Sequence, residues 1–198
     1  ISIGKFLLSF GVTDLTMCDK FGIICEGDPQ LNPAQAEISR ITNKSHKKGL
    51  LADAMKGADV FVGVSAPNCV SKDMVRSMAK GAIVFTCANP VPEIPYEDAK
   101  AAGAAVVGTG SSQFPNQINN VLVFPGLFRG ALDARATTVN TEMMRAASLG
   151  IAGCVTEKEL SPEYILPYAY DKRAHDCVAD AVKRAAIETG VSKLYKKV

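Results

Sequence analysis

The sequence has 198 residues, of which 47% are hydrophobic and 21% are charged, and this composition is sufficient for a well-buried globular core. Its formal net charge of +2 is close to balance, and apart from two short lysine groups the basic residues are scattered. Because proteins that bind nucleic acids normally carry a stronger and more clustered positive charge, we predict no nucleic-acid partner.

The first segment, ISIGKFLLSFG, has apolar residues at helical spacing and ends at Gly11. It predicts a helix that this glycine terminates. No capping residue or turn precedes the helix, and the chain does not begin with Met. We therefore expect the chain to open inside a helix, with further residues upstream.

Short apolar runs alternate with helical segments up to residue 110. The predicted helices begin at Asn32-Pro33, at LLADAMKGA, after the capping residue Ser71 and at YEDAKAAG. The predicted strands are DLTMCD (14–19), DVFVGVS (59–65), AIVFTCA (82–88) and AAVVGTG (104–110). Near-continuous apolar strands separated by helices are typical of a parallel sheet covered on both faces. The predicted fold class is α/β, a Rossmann-like doubly wound parallel sheet.

After residue 120 the pattern becomes helical. Pro125 and Gly126 predict a kinked or restarted helix, and Thr138 or Asn140 can cap the next one. The segment SPEYILPYAYD predicts a loop, and AHDCVADAVKRAAIETG predicts a last amphipathic helix that ends at Gly190. We expect residues 138–198 to form C-terminal helices that pack on the sheet domain.

The cysteines and the hydropathy pattern indicate a cellular setting. No CxxC spacing occurs, and most cysteines lie in apolar runs, so we interpret them as buried reduced thiols of a cytoplasmic protein rather than as disulfides or zinc ligands. The longest apolar stretch is too short to span a bilayer and no secretory signal is present, so we predict no membrane partner. The six cysteines are Cys18, Cys25, Cys69, Cys87, Cys154 and Cys177.

The ends of the predicted strands carry the candidate ligand site, because open parallel sheets bind ligands outside the carboxyl ends of their strands. Small residues there let a flat ligand approach the backbone, and polar side chains can orient it. The alternative is that these residues only form turns. Four successive ends of this type favour a site: Asp19, residues 63–67 with Ser65 and Ala66, residues 88–90 with Asn89, and residues 108–110.

Asp19 is a candidate for binding the adenosine ribose. A carboxylate that ends the second strand of a dinucleotide-binding fold lies about 20 residues after a Gly-rich turn. Counting back places that turn before Ile1, so we expect the first strand and its Gly-rich turn to lie upstream. Alternatively, Asp19 only begins the turn DKFG. Asp19 favours NAD over NADP by charge repulsion, which Lys20 or the lysines at 44, 47 and 48 could offset.

Several motifs together resemble the NAD-binding domain of malic enzymes, and the similarity runs through essentially the whole chain. The resemblance implies oxidation of L-malate with NAD or NADP and a bound Mg or Mn ion, then decarboxylation of the oxaloacetate formed to pyruvate and carbon dioxide. ANPVPEI and PNQINNVLVFPG are specific to this family rather than to Rossmann folds at large. The motifs are LLADAMKGADVFVGVSAP, ANPVPEI, AKAAGAAVVGTG, FPNQINNVLVFPGLFRGALDARA and AVKRAAIETGV.

The resemblance assigns roles to three amides. Asn89, Asn119 and Asn120 are similar to family residues that contact malate and the nicotinamide end of the cofactor, and neutral amides can both donate and accept hydrogen bonds there. We interpret Asn116 and Gln117 as loop and cap residues.

The family's catalytic Tyr and Lys, its substrate Arg and its acidic metal ligands precede the Gly-rich turn. Nothing here matches them, so we predict no catalytic residue and no metal ligand in this chain. We interpret His46 and His175 as surface or helix-end residues. The tyrosines outside the family's tyrosine motif are Tyr96, Tyr164, Tyr168, Tyr170 and Tyr195.

The sequence thus supports two hypotheses of different class. The favoured one is an oxidoreductase, a homodimer or homotetramer, whose cofactor-binding half is this chain and whose catalytic half lies upstream. The alternative is a non-catalytic nucleotide-binding module, or a truncated product that acts only by association.

Overall fold

The computed structural model describes residues 1–194. Within them the chain alternates helices and short strands up to Thr109 and is helical afterwards. Residues 195–198, which include Tyr195 and the end of the predicted C-terminal region, lie outside the described residues.

A three-stranded parallel sheet forms the centre of the first part of the chain, and its strands lie side by side in their order along the chain. Phe61 pairs with Val84, and Val84 pairs with Val107, so the most buried strand residues lie side by side in the core. These strands are the predicted ones, each shorter at its ends, and they confirm the α/β, Rossmann-like class. The strands are β3 (Val60–Gly63), β4 (Ile83–Thr86) and β5 (Val106–Thr109).

The helices of this part begin within one residue of the predicted positions, and most of them end earlier than predicted. The side chain of Asn32 accepts a hydrogen bond from the backbone N–H of Gln35, and Ser71 does the same for Met74, so both residues cap their helices. Gly11 follows the first helix at φ +91°, a backbone conformation that suits glycine. The helices are α1 (Ser2–Ser9), α2 (Pro33–Ser39), α3 (Leu51–Met55), α4 (Lys72–Arg76) and α5 (Tyr96–Ala101).

The predicted strand at 14–19 is wrong in both length and partner. Only Cys18–Asp19 (β1) is a strand, and it pairs antiparallel with Gly22–Ile23 (β2) in a separate two-stranded hairpin. Turn chemistry explains the difference. Gly22 has φ +123°, a value that residues with a side chain rarely adopt. The backbone carbonyl of Gly49 occupies the place where a Cβ at this position would lie.

Three longer helices and a 3-10 turn form a second hydrophobic core, separate from the sheet core. The 3-10 turn Asn120–Leu122 precedes the helix Phe124–Asp133, so the helix predicted around Pro125 restarts rather than continuing. Asn140, not Thr138, caps the following helix, because its Oδ1 accepts a hydrogen bond from the N–H of Met143. The helices are α6 (Phe124–Asp133), α7 (Thr141–Ala152) and α8 (Lys172–Glu188).

Two glycines let α6 lie directly against α8. A Cβ on Gly126 would stand 2.7 Å from the Cβ of Val178, and one on Gly130 would stand 2.9 Å from the Cβ of Val182. Such separations do not occur between real side chains, so glycine is required at both positions for this close approach.

Asn116 joins the helical part to the sheet. Its side chain is buried, and its amide nitrogen donates to the carbonyls of Val107 (3.0 Å) and Pro162 (2.8 Å) while its oxygen accepts from the N–H of Ile165 (2.9 Å). One side chain therefore connects β5 to the loop between α7 and α8.

No helix in residues 1–194 combines the length and apolar character needed to cross a membrane.

All six cysteines are free thiols, but the prediction that they are buried holds only in part. Cys25 and Cys154 are buried, whereas Cys177 is exposed on α8. The apolar run around Cys177 belongs to an amphipathic helix in which Val178 is buried and the neighbouring Cys177 is exposed. The remaining three are half-buried.

Candidate functional site

The three parallel strands end at one edge of the sheet. Gly63 pairs with Thr86, and Thr86 pairs with Thr109, so the residues that follow each strand emerge side by side. Ser65, Ala66 and Asn89 are all exposed at this edge. The structure thus brings together the candidate residues predicted at the first two of these strand ends.

The loops after β3 and β4 are bonded to each other along their length. The N–H of Cys87 donates to the carbonyl of Gly63, that of Asn68 to Pro92, and that of Val70 to Glu93, each at 3.0 Å. The edge therefore presents one joined backbone surface rather than two independent loops.

Glu93 lies beneath this surface and has no exposed area. Its Oε1 accepts a hydrogen bond from the N–H of Ser65 (2.9 Å), and its Oε2 accepts from the N–H of Ala88 (3.1 Å). We did not predict a role for Glu93. The signal available was an acidic residue placed directly before the apolar Ile94 in the otherwise uncharged run ANPVPEI.

Two thiols near the candidate residues are held in the protonated form. Burial, with the negative charge of Asp19 as a smaller cause, raises the pKa of Cys18 to about 11. Burial also raises the pKa of Cys87, and the carboxylate of Glu93 adds to this shift. Neither cysteine is a thiolate at neutral pH, so neither is suited to act as a nucleophile.

The amides that follow β5 have separate surroundings. Gln117 forms a parallel bridge with Thr109, and Asn116 is the buried link described above, so both are loop residues, as predicted. The Oδ1 of Asn119 accepts from the N–H of Val121 (3.0 Å), which makes Asn119 the cap of the 3-10 turn. Asn120 is exposed, and its side chain forms no hydrogen bond with residues 1–194. Ligand contacts by Asn119 and Asn120 remain predictions.

Asp19 does not end a strand of the parallel sheet, contrary to the prediction, because its strand belongs to the hairpin. Its Oδ1 accepts from the N–H of Phe21 (2.8 Å), so the alternative interpretation, a turn at DKFG, describes its local structure. Its Oδ2 accepts from the side-chain amide of Gln35 (2.7 Å), which also belongs to the capping box of α2. A carboxylate has about four acceptor positions, so Asp19 retains capacity for ribose hydroxyls.

The lysines considered for cofactor choice are exposed, and two of them lie near the hairpin. The ammonium group of Lys20 stands 4.8 Å from the centre of the Phe21 ring. Lys48 and Phe21 line one open groove beside β2. Lys44 and Lys47 do not line this groove. Of these four lysines, Lys20 therefore lies in the turn of the hairpin and Lys48 lines the groove beside it.

The two histidines are where the sequence predicts. His46 is an exposed turn residue, and His175 lies in the first turn of α8 with its Nε2 3.0 Å from the carbonyl oxygen of Val121.

Among residues 1–194 no group of three or more His, Cys, Asp or Glu side chains could hold a metal ion. The described residues thus do not fit a Mg or Mn site, and we assign no metal ligand to them.

Comparison with known proteins identifies the family. Residues 11–187 match the family model described as "Malic enzyme, NAD binding domain". The chain belongs to the malic enzyme family. The match extends over the hairpin, the parallel sheet and all three C-terminal helices, including nearly all of α8.

Individual malic enzymes are similar over nearly the whole chain. A bifunctional malic/malolactic enzyme of Bacillus subtilis is 53% identical over 98% of this chain and 48% of its own length. An NADP-dependent malic enzyme of Haemophilus influenzae is 41% identical over 95% of this chain and 27% of its own length. The crystal structure of an NAD-dependent malic enzyme from Thermotoga maritima aligns with a TM-score of 0.85 and 42% identity, covering 90% of this chain and 47% of that one. The chain therefore spans half or less of each of these proteins.

Proposed function

We propose that this chain supplies the NAD(P)-binding half of an enzyme that oxidatively decarboxylates L-malate to pyruvate and carbon dioxide while NAD(P) is reduced. The observation that carries the proposal is the match of residues 11–187 to the NAD-binding domain of malic enzymes. Exposed small and polar residues at the strand ends support it, because dinucleotides bind at this edge of related sheets.

The chain's own residues would bind and orient the reactants. Bound NAD(P) supplies the hydride acceptor. Asp19 accepts from the adenosine ribose, and the exposed backbone at Ser65 and Ala66 allows the flat cofactor to approach closely. Asn89, Asn119 and Asn120 bind malate, and Asn89 and Asn119 also contact the nicotinamide end. Each amide nitrogen can donate to a substrate carboxylate.

The proposed site can bind either NAD or NADP. The Asp19 carboxylate favours NAD, because it repels the additional phosphate of NADP. Lys20 lies next to it in the hairpin, and Lys48 lines the adjoining groove, so either cation could offset the repulsion. Relatives named for each cofactor are known, which is consistent with a choice set by such local charges.

The assembly around this chain is also proposed. The chain forms part of the NAD(P)-binding domain, with the C-terminal helices α7 and α8 packed on it, and a Mg or Mn ion is held by residues outside this chain. The enzyme is a cytoplasmic homodimer or homotetramer.

A second reaction deserves testing because the Bacillus subtilis relative is named a malic/malolactic enzyme and is 53% identical to this chain. In the malolactic reaction, malate yields lactate and carbon dioxide with no net change in the cofactor. Retained reduced cofactor that returns its hydride to pyruvate would give this balance.

The test uses the full-length product of the gene that encodes this chain. We expect L-malate and Mn to drive the reduction of NAD or NADP, with pyruvate formed in equal amount. Lactate formed without net reduction of the cofactor would indicate the malolactic reaction. Binding of NADH or NADPH with neither product would contradict both reactions and support the non-catalytic alternative.

A further inference from the structure

Glu93 is a buried carboxylate without a cationic partner among the described residues. Its side chain has no exposed area, and within residues 1–194 its two oxygens accept only from the backbone N–H groups of Ser65 and Ala88. Acidic residues are rarely buried in full, and those that are buried normally face a cation or a metal. A glutamate in this position therefore requires an explanation beyond forming the turn.

The end of β3 is shaped around this carboxylate. A Cβ on Gly63 would lie 2.5 Å from the Cδ of Glu93 and 2.7 Å from its Oε1, so a side chain there would displace the carboxyl group. Gly63 is also bonded through its carbonyl to the N–H of Cys87. The glycine thus makes room for Glu93 and holds the two strand ends together.

We propose that Glu93 is a positioning residue of the cofactor and substrate site, an inference that rests on the proposed function for the identity of the ligands. One oxygen fixes the backbone that carries Ser65 and Ala66, and the other fixes the backbone that carries Asn89. The carboxylate sets the spacing between the two groups of candidate residues without contacting a ligand itself.

A carboxylate is the side chain that suits this task, since two N–H donors require two acceptors. Glutamine at position 93 has nearly the same shape but only one acceptor, so its NH₂ group must face one of the two backbone donors. One strand end would lose its bond while the other kept it. Hydrogen bonds to charged groups are strong enough for this loss to weaken ligand binding about tenfold to a hundredfold.

The experiment compares Glu93→Gln with Glu97→Gln in the full-length enzyme. Glu97 is exposed on α5, so the control makes the same chemical change on the same segment away from the strand ends. The measurements are the Kd for NADH and NADPH by calorimetry, the Tm, and kcat and KM. For E93Q we expect a Kd at least tenfold higher, measured well below its Tm, and for E97Q we expect wild-type values.

A purely structural role for Glu93 predicts that E93Q has a lower Tm but binds both reduced cofactors with the wild-type Kd and keeps the wild-type KM for malate. That result would overturn the proposal. Glu93→Asp keeps the charge but is one methylene shorter, and it decides the matter if E93Q does not fold. We expect its Kd to rise as well, since the shorter side chain cannot reach both N–H groups, and an unchanged Kd would again overturn the proposal.

The binding measurement needs no malate, which separates this proposal from the proposed function. A wild-type enzyme that binds NADH or NADPH but does not convert malate would contradict the function, and the E93Q comparison would still decide the role of Glu93. A wild-type enzyme that binds neither cofactor would overturn both.

Discussion

Asn119 and Asn120 are adjacent in sequence, but their side chains have different roles. Asn119 uses its oxygen to cap the 3-10 turn and keeps its NH₂ group available, whereas Asn120 is exposed with both groups available to a ligand. Asn116, three residues earlier, is buried in a structural link. The run of amides before α6 therefore combines structural and ligand-facing candidates, and a single helix cap does not account for it.

Replacing Asn89 or Asn120 by Asp tests the ligand-facing role, because this change adds a charge with almost no change in shape. If both amides face malate carboxylates, each variant sets an anion against an anion in a partly desolvated cleft, where a close pair costs roughly a few kcal/mol. We expect the KM for malate to rise at least a hundredfold in the full-length enzyme while the Tm changes little.

Gln113→Glu is the matched control for these variants, since Gln113 is exposed in the loop between β5 and Asn119 and has no assigned role. We expect it to leave the KM for malate near the wild-type value. An unchanged KM in both Asp variants would show that Asn89 and Asn120 do not contact the substrate.

The secondary-structure elements differ in how far the sequence determines them. β3, β4 and β5 were predictable because their residues are apolar almost without interruption, and α2, α4 and α7 carry their own caps. The hairpin was not predictable from the pattern of apolar residues, because the turn at Gly22 outweighs the apolar run before it. Glu93 was missed since its bond to Ser65 joins residues that are 28 positions apart, and no local pattern reports such a contact.

Gly130→Ala tests the close contact between α6 and α8. Alanine favours a helix by up to about 1 kcal/mol over glycine, but here its Cβ would meet the carbonyl of Ala179 and the Cβ of Val182. We expect a net loss of about 1–3 kcal/mol in the free energy of unfolding, measured by denaturant titration. Gly110→Ala is the control, because a Cβ there meets nothing within 4 Å and should leave stability unchanged. Equal stability of the two variants would contradict the tight packing.

At the scale of the whole molecule, the polar segment before α6 passes from one core to the other. Phe114 stacks on Tyr96 of the sheet core at 4.7 Å between ring centres, and Leu122 is the first residue of the helical core. The amides between them occupy the short stretch that belongs to neither core. A site placed there can be polar and exposed without interrupting the packing of either part.

The isolated chain of 198 residues should bind NADH weakly and should not oxidise malate. Dinucleotide affinity depends strongly on a Gly-rich turn that presents a helix N-terminus to the phosphates, and no GxGxxG motif occurs in these residues. The chain also spans only 48% of the Bacillus subtilis relative, and we predict no catalytic residue within it. Calorimetry with NADH and an assay of malate-dependent NAD reduction, each run beside the full-length enzyme, would measure both properties. Turnover by purified chain free of any longer form would place catalytic residues within these 198 positions and refute the assignment of catalysis to the other half.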